Sequence, residues 1–571
     1  MPKKNEGTTI EREIYYVADV STALNFADLF DPYSDLPERH LIIPGLCYQR
    51  TIKKFHDKND EKGEAACELS VLIRTIVKKG KITKNGDYKE YTLGEKLHVI
   101  FDNKEHLSEK EKLGNISGDG IIDALAVALY WKAKNGFADK IKILSNDTTI
   151  DLAALDIIKR EDIINFELKA YTGWIDVSDN TAACNRWAIS KKISKKEFEE
   201  LCPDYDLCPH EFVFFTEDSK QYRIDMIGRY DGDENSSTFG YIVPLEYYKT
   251  VDYTKPRNRY QACAIEIAAM PPDVCLCGIF IGPAGSGKTR IGLGVALELT
   301  GLLDGKYTSA STQEKGKKGK GDKGGKGDKP WKLANIQNTE AEQAEQALPE
   351  EEQYIGSDVQ GNPRIIQPMT PPGIRPLLKN RQPTANYLYD KVVFVPPKQM
   401  LYEQPPVPGD RLEKNKELLA PYSTIIPMIL SDKHDKKPGG QFYSDSDITY
   451  KTEQIINSVD VYTLGGISGQ NFLYRLALHD EIQKETLTEL ETVLERVDTG
   501  GKVIFMGDPG QRNNRYGAAG SPAVRFTRLN KNSPYAAVVV FPHDNNAQTM
   551  NCIERPGGRA AMYCKVRTAT Y

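Results

Sequence analysis

Eight consecutive residues near the middle of the chain have the types and spacing of a loop that holds phosphate groups. Gly282, Pro283, Ala284, Gly285, Ser286, Gly287, Lys288 and Thr289 fit the pattern G-x-x-x-x-G-K-S/T. The apolar run CGIFI before them predicts a strand, and TRIGLGVALEL after them predicts a helix. Glycines let backbone N–H groups turn toward phosphate oxygens, lysine reaches the terminal phosphates, and threonine coordinates Mg²⁺. The loop therefore predicts a site for ATP or GTP with Mg²⁺.

A pair of acidic residues follows another apolar run. In YRLALHDEIQ, Asp480 and Glu481 come directly after the predicted strand. We expect Asp480 to complete the Mg²⁺ site and Glu481 to orient or deprotonate water, as hydrolysis requires. The two residues could instead only cap the next helix, although capping does not require the full D-E-x-Q pattern. A further strand ends in GDPGQ, where Gln511 is predicted to sense the γ-phosphate; the alternative there is a tight turn.

The first part of the chain contains a second set of carboxylates. Asp19 follows the predicted strand in EIYYVADV, Asp119 and Asp123 lie near the start of a helical pattern, and Asp147 follows the strand in KIKILSND. The carboxyl ends of parallel strands meet at one edge of a sheet, and carboxylates suit Mg²⁺ or Mn²⁺. These residues therefore predict a metal site that could act on a phosphodiester. Taken singly, Asp119 could be only a helix cap.

The elements that must position these residues alternate between strand and helix patterns, which favours α/β folds with mainly parallel sheets. We predict an α/β domain over residues 1–156, a connecting module over 157–250 and a second α/β domain over 251–571. The connecting module is predicted to contain strands at EFVFFTE and FGYIVPLEYY and one helix over CNRWAISKKISKKEFEEL. Lys/Gly repeats and a Pro-rich stretch predict a disordered insertion over 305–385.

Composition limits the class of protein. The chain has 571 residues, a formal net charge of −5 and 10 cysteines. The near balance of charge excludes a uniformly basic surface, so nucleic acid would have to bind at local patches. The cysteines are scattered without zinc-site spacing, as expected of a reduced chain. No apolar stretch approaches the roughly 20 residues that span a bilayer, and no signal peptide is visible. We expect a soluble, cytoplasmic protein with no membrane partner.

The order GPAGSGKT, DEIQ, GDPGQ resembles the PhoH family, which is similar to one motor domain of superfamily one helicases. The resemblance implies a RecA-like P-loop ATPase that uses ATP and Mg²⁺. KPRNRYQACAIEIA resembles the family segment in which Arg257, Asn258 and Gln261 would contact the base. Arg496 and Arg555 stand where family arginines would stand, as candidates for a finger that stabilises charge. The resemblance also implies a homo-oligomer, commonly a hexamer, in which a neighbouring subunit completes the site.

The chain departs from that family at two places. Pro396 and Pro397 replace the usual Arg-Pro after the strand KVVFV. Ser468, Gly469 and Gln470 replace the usual Arg-Gly-Arg before the D-E strand. Those arginines would contact phosphate or RNA, so their absence weakens the expected coupling between ATP hydrolysis and strand separation.

The first region, through ADVSTAL and SNDTTIDLAALDI, resembles a PIN domain, a three-layer α/β nuclease fold. A PIN domain followed by a PhoH-type domain is a known fusion. The resemblance implies that Asp19, Asp123 and Asp147 bind metal and act on RNA, with Asp119 as a further ligand. PIN domains of this type place a glutamate just after the second strand's proline, where this chain has Gln49 and Arg50.

Together these resemblances imply an ATP-dependent, helicase-like enzyme that remodels RNA and is coupled to a metal-dependent PIN ribonuclease domain. The alternative is an RNA-binding, ATP-driven switch with a catalytically inert PIN domain, which the residues at 49 and 50 favour. A DNA-repair ATPase also stays open, because the sequence does not show which contacts would read the sugar.

Overall fold

In the computed structural model the chain divides into two compact units, residues 1–169 and 170–571. The described residues are 14–32, 36–56, 61–85, 88–103, 119–134, 137–145, 158–164, 171–216, 223–234, 236–305, 355–357, 363–365, 388–397, 418–434, 444–467, 469–511 and 522–542. Both units are α/β, as the sequence predicts, and no described helix combines the length and apolarity needed to cross a bilayer.

The first unit is built around a mixed sheet with the order β3-β4-β5-β2-β1-β6-β7. Its strands are β1 Tyr15–Ala18, β2 Arg39–Pro44, β3 Lys81–Asn85, β4 Tyr88–Leu93, β5 Leu97–Asp102, β6 Ile141–Leu144 and β7 Ile163–Ile164. Its helices are α1 Val20–Asn25, α2 Gly45–Phe55, α3 Glu61–Lys79 and α4 Asp119–Ala133. The strands from β5 to β7 in this order are parallel, whereas β3, β4 and β5 pair in antiparallel fashion. Apolar strand residues such as Val17 and Ile42 are fully buried because helices cover the sheet.

The second unit contains a sheet of six parallel strands with the order β17-β16-β18-β19-β13-β20. The strands are β13 Cys277–Ile281, β16 Lys391–Val395, β17 Asp460–Val461, β18 Arg475–His479, β19 Lys502–Gly507 and β20 Ala536–Val540. The register pairs Ile281 with Gly507 across β13 and β19, and His479 with Phe505 across β18 and β19. This register brings the residues that follow the three strands to one edge of the sheet.

Helices flank this sheet and form a buried layer with it. They are α7 Arg259–Ala269, α8 Lys288–Leu299, α9 Ala420–Ser423, α10 Ile426–His434, α11 Asp445–Ser458, α12 Leu487–Leu494 and α13 Pro522–Leu529. A buried lysine connects strand β19 to the end of helix α7. The Lys502 ammonium donates to the carbonyls of Ile267 at 2.5 Å and Met270 at 2.7 Å. These are carbonyls at the end of α7 that have no partner within the helix.

Within the predicted connecting module, residues 174–244 form a small sheet with the order β8-β10-β11-β12-β9. Its strands are β8 Trp174–Asp176, β9 Ile193–Ser194, β10 Phe212–Phe214, β11 Ile227–Tyr230 and β12 Tyr241–Pro244. The prediction of one helix over CNRWAISKKISKKEFEEL is wrong, because α5 Thr181–Ser190 and α6 Lys195–Leu201 are separate helices. Lys191 takes the left-handed conformation that ends α5, and the Ser194 hydroxyl accepts a hydrogen bond from Glu197 N and starts α6.

The small sheet joins the edge of the large one. Val540 N donates to Thr172 O at 2.9 Å, and the Trp174 indole donates to Val540 O at 2.7 Å. Gly173 lies so close to β20 that a Cβ would come within 1.8 Å of Val538 O, and its φ is +73°. Only glycine fits this position. The predicted boundaries at 156 and 250 stay predictions, although the small sheet belongs to the same compact unit as the large sheet.

Two further strands, β14 Ile355–Ser357 and β15 Pro363–Ile365, pair in antiparallel fashion within the predicted insertion. Apart from these strands and Gly305, the insertion lies outside the described residues. The prediction of disorder over 305–385 is therefore not tested by the structure.

A buried histidine makes the stability of the small sheet depend on pH. His210 is 1% exposed; its Nδ1 accepts from Arg229 at 3.2 Å, and its Nε2 donates to Pro534 O at 2.8 Å. Burial and the charge of Arg229 lower the pKa of His210 to about 4. The unfolded chain therefore binds a proton that the folded chain does not when the pH lies between about 6.5 and about 4.

We predict that the free energy of unfolding falls by up to about 3 kcal/mol through this group as the pH drops from about 7 to about 4. In His210→Asn this part of the loss disappears, and asparagine tolerates the left-handed φ of +61° at this position. Denaturant unfolding of both proteins at several pH values measures the effect. A constant difference between the two proteins at every pH would contradict it.

Candidate nucleotide site and acidic site

The glycines of the phosphate loop have the backbone that the motif requires. Gly285 and Gly287 have φ values of +84° and +92°, and α8 begins at Lys288 directly after them. A Cβ at Gly282 would come within 2.6 Å of the Phe541 side chain. The loop therefore connects β13 to α8 in the conformation in which backbone N–H groups line a concave surface at a helix N-terminus.

Lys288 is buried and contacts the loop itself. Its ammonium donates to Gly282 O at 2.7 Å and Pro283 O at 3.0 Å, and lies 3.3 Å from Ser286 Oγ. These carbonyl oxygens are weak partners for a full positive charge compared with phosphate oxygens. The ammonium is thus placed at the loop and can exchange its contacts for those of an anionic ligand.

The two residues predicted to hold Mg²⁺ are in contact. The Thr289 hydroxyl donates to Asp480 Oδ2 at 2.7 Å, so the start of α8 touches the end of β18. Removal from bulk water, and next the charge of Glu481, raise the pKa of the Asp480 carboxyl, while the hydrogen bond from Thr289 lowers it. One hydroxyl and one carboxylate at this spacing are oxygen donors of the kind that Mg²⁺ prefers, so the residues fit the ion.

Glu481 has an unusual backbone that the sequence did not predict. Its φ is +63°, in the left-handed region that costs a non-glycine residue about 1 kcal/mol or more. The Gln483 amide donates to Glu481 Oε2 at 2.9 Å, and the Lys484 ammonium lies 3.3 Å from the same oxygen. Strain held by such contacts at the mouth of a cavity is typical of a residue with a chemical role.

Gln483 and Asp508 connect the three strand ends. Asp508 N donates to Gln483 Oε1 at 3.0 Å, and Ala284 N donates to Asp508 Oδ2 at 2.9 Å. The second Asp508 oxygen accepts from Gly510 N at 2.9 Å. The DEIQ and GDPGQ motifs contain both residues, but the chain of bonds from Glu481 to the phosphate loop depends on sheet register and could not be read from the motifs.

These groups line a cavity of about 590 Å³. Its walls include the loop residues Ala284, Gly285, Gly287, Lys288 and Thr289, the strand-end residues Asp480, Glu481, Gly507, Asp508 and Gln511, and Arg257, Arg290, Pro421, Thr424, Ile425 and Met428. The last four residues belong to α9, α10 and the turn between them. Five of the eight loop residues therefore line the same cavity as Asp480, Glu481 and Gln511, whereas Gly282, Pro283 and Ser286 do not line it.

The residues expected at the base have partners inside the protein. Asn258 Oδ1 accepts from Gln261 N at 2.9 Å and caps α7. The Gln261 side chain donates to Ser286 O at 3.0 Å and accepts from Arg257 N at 2.9 Å, which ties α7 to the phosphate loop. Arg257 alone of the three lines the cavity. Their contact with a base stays a prediction.

The two predicted arginines differ in what the structure describes. Arg496 lies after α12, outside the residues that line the cavity, and its Nε has no hydrogen-bond partner among the described residues. Arg555 lies outside the described residues. In the described part of the chain, Arg496 therefore does not reach the phosphate loop of its own subunit.

The structure brings together two of the four predicted carboxylates of the first unit. Asp19, 1% exposed, follows β1, and Asp123, 8% exposed, lies in α4. Both face the Cys47 thiol on α2: burial, and then the Asp123 and Asp19 carboxylates, raise the pKa of Cys47 to about 12. Ser21 and Ser145 donate to Asp19 Oδ2, the latter at 3.4 Å. Asp147 lies outside the described residues, and Asp119 begins α4 with a side chain that is not described.

Cys47 occupies the position from which α2 faces the carboxylates. Gln49 and Arg50 are exposed, and Gln49 lines a different cavity with Tyr91 and Phe101. Sequence comparison with the PIN pattern pointed to 49 and 50 because it counts residues from Pro44, whereas the direction of a side chain depends on where the helix begins. The described carboxylates, Asp19 and Asp123, are oxygen donors that fit Mg²⁺ or Mn²⁺ as part of a ligand set.

Comparison with known proteins gives one partial match. A stretch of 110 residues is 31% identical to Protein PhoH2 of Bacillus subtilis (strain 168). Over that stretch the chain is similar to PhoH2. The stretch covers 19% of this chain and 22% of PhoH2, so the chain matches about a fifth of that relative's length. No protein-family model matches the chain. The similarity supports a PhoH-like relationship, and the fusion with a PIN domain stays a prediction.

We predict that Lys288→Ala lowers the affinity for Mg²⁺-ATP at least about tenfold, because a charge-assisted hydrogen bond contributes about 1.5–3 kcal/mol. Lys451→Ala, on α11 and outside the cavity, is the matched control. Titration of each protein into a fluorescent ATP analogue measures the affinities. Equal affinity of the Lys288 variant and the parent would contradict the assignment of the cavity.

Proposed function

We propose that the second unit is a PhoH-like ATP hydrolase and that ATP binds in the cavity at the carboxyl edge of its sheet. The observation that carries the proposal is the 2.7 Å hydrogen bond between the Thr289 hydroxyl and Asp480, with Glu481 next to it at the phosphate loop. The partial match to PhoH2 supports the same assignment.

Each residue of the cavity has a distinct role in the proposed hydrolysis. When bound, Mg²⁺-ATP supplies an electrophilic γ-phosphorus and partly neutralised phosphate oxygens. Lys288 would exchange the loop carbonyls for the terminal phosphates, and Thr289 and Asp480 would hold the ion. Glu481 orients water and accepts its proton, and Gln483 holds the Glu481 carboxylate in place from the protein side. The backbone N–H of Gln511 donates to Asp508 O, just after β19. Through this contact, Gln511 would transmit a change at the terminal phosphate to the end of β19.

We predict that Glu481→Gln binds ATP within a few-fold of the parent but turns it over at least about 100 times more slowly, because a general base contributes about 10²–10⁴ in rate. Glu453→Gln, exposed on α11, makes the same chemical change away from the cavity and serves as control. Phosphate release under saturating ATP measures turnover. Parent-like turnover by the Glu481 variant would remove Glu481 from the mechanism.

The substrate that this ATPase remodels is proposed to be RNA. Support comes from the PhoH-like similarity and from a local surface on the small sheet, since the whole chain is not basic. There Tyr241 and Phe239 are 37% and 47% exposed, and the Lys192 ammonium lies 4.1 Å from the centre of the Tyr241 ring. Exposed aromatic rings beside lysines are suited to stacking on bases and pairing with phosphates of a single strand.

We propose a homo-oligomer because of where Arg496 lies. Its guanidinium lies outside its own subunit's cavity, and Nε has no partner among the described residues. A ring of subunits, such as a hexamer, could present this arginine to a neighbour's γ-phosphate. Such an arginine would stabilise the charge of the transferring phosphate.

For the first unit we propose a metal-dependent ribonuclease of the PIN type. Asp19 and Asp123 both lie near Cys47 at the carboxyl edge of the parallel strands, where a divalent ion would offset the negative charge of the two carboxylates. Cys47 faces the pair as a neutral thiol and contributes no charge. The alternative, an RNA-binding switch with an inert first unit, is the outcome if no cleavage is found.

We predict that Mn²⁺ raises the melting temperature of the first unit and promotes cleavage of labelled RNA, and that Asp19→Asn removes both effects. Asp139→Asn, exposed in the same unit, is the control for the loss of one carboxylate. Cys47→Asp should strengthen metal binding more than Gln49→Glu, because position 47, unlike position 49, faces Asp19 and Asp123. Absence of cleavage in the parent, with no response to Mn²⁺, would leave the inert switch as the better account.

A further inference from the structure

A second cluster of metal-binding side chains lies at the other end of the first unit's sheet. His40 and His98 are paired residues of the neighbouring parallel strands β2 and β5. Their rings stack with centroids 4.3 Å apart and an angle of 19° between the planes. Glu38 precedes β2, and its Oε1 lies 3.7 Å from His40 Nε2 and 3.3 Å from His98 Nε2.

The cluster is separate from the acidic site. His40 and His98 are each the second residue of their strand, so they lie near the amino ends of β2 and β5. Asp19 lies at the carboxyl end of β1, which is parallel to β2. Four residues of strand, or about 13 Å, separate His40 from the carboxyl end of β2. Among the described residues, this is the one group of three histidine, cysteine or acidic side chains whose ligand atoms lie within 4.8 Å of one another.

Neighbours on β4 orient both imidazole rings. His40 Nδ1 lies 3.3 Å from Glu90 Oε1, and His98 Nδ1 lies 3.2 Å from Thr92 Oγ1. An ionised carboxylate only accepts, so Nδ1 of His40 carries the proton and Nε2 keeps its lone pair. The Thr92 hydroxyl can accept from His98 Nδ1 in the same way. Both rings then direct an Nε2 lone pair toward Glu38, which is the arrangement found when a partner on Nδ1 fixes a metal-ligating histidine.

The spacing fits a tetrahedral ion. With bonds of about 2.0–2.1 Å, two ligands of a tetrahedral zinc lie about 3.3–3.4 Å apart. The two distances from Glu38 Oε1, 3.3 and 3.7 Å, need at most a small contraction. Glu38 is 61% exposed, so an ion can enter from solvent and small rotations of this side chain are free. Without an ion, three electron-rich atoms lie within 4.8 Å of one another and repel each other.

We propose that Glu38, His40 and His98 form a binding site for a divalent transition-metal ion of the Zn²⁺ type, with water as the fourth ligand. Two imidazole nitrogens and one carboxylate suit Zn²⁺ and disfavour Mg²⁺, which takes oxygen ligands. The ion connects β2 to β5, and Glu90 and Thr92 extend the connection to β4 through hydrogen bonds to the ligands. The site does not depend on the proposed ATPase or nuclease activity.

The experiment measures Zn²⁺ bound to the full chain by equilibrium dialysis with excess Mg²⁺ present, which occupies oxygen-rich sites. The parent is expected to bind one more Zn²⁺ per chain than His98→Gln, and Glu38→Gln is expected to lower the affinity about 10-fold or more. His56→Gln changes an exposed histidine of the same unit that is not in the cluster, and it should bind as the parent does. Co²⁺ should give visible absorption bands in the parent and not in His98→Gln.

Zn²⁺ should also raise the melting temperature of the parent and of His56→Gln, but not that of His98→Gln. Because Glu38 is mostly exposed, Glu38→Gln keeps the fold and tests the site even where a histidine variant does not fold. Equal Zn²⁺ stoichiometry and affinity in the parent and Glu38→Gln, with no Co²⁺ bands, would overturn the proposal. The cluster would then be a set of hydrogen bonds without a metal ion.

Discussion

The register of three parallel strands determines where the groups of the nucleotide site lie. Because Ile281 pairs with Gly507 and His479 pairs with Phe505, the phosphate loop, Asp480 and Asp508 leave the sheet at one edge. A slip of one residue between β18 and β19 would turn alternate side chains to the opposite face. It would also separate Gln483 from Asp508 N and Thr289 from Asp480. The nearly continuous burial of these strands specifies the register and, with it, the site.

Every charged group described at the phosphate loop has a partner within the protein. Lys288 contacts loop carbonyls, Glu481 contacts Gln483 and Lys484, and Asp508 accepts from two backbone amides. Binding of a nucleotide therefore exchanges existing contacts for new ones. Only the difference between the two sets contributes to affinity. The left-handed backbone of Glu481 shows that the fold tolerates a local cost to hold one carboxylate in position.

Local patterns predicted much of this arrangement, and non-local packing accounts for the rest. The phosphate loop, its strand and its helix agree with the sequence because a motif and its flanking elements are contiguous. The strand β20 was not predicted, although its run AAVVV is rich in β-branched residues; its place beside β13 depends on contacts distant in sequence. Cys47 was missed because helix phase, not residue counting, decides which side chain faces Asp19. His40 and His98 lie 58 positions apart in sequence, and only strand pairing brings them together.

The segment that runs past Gly173 has a practical consequence for how the chain can be divided. It covers the outer side of β20, the last strand of the parallel sheet, through Thr172 O and the Trp174 indole. A shortened protein that begins at residue 251 would keep the phosphate loop but leave this strand with open backbone groups and a bare apolar surface. Such edges recruit strands from other molecules and promote aggregation. Poor yield of a soluble shortened ATPase would therefore reflect an uncovered sheet edge and would carry no information about the competence of the nucleotide cavity.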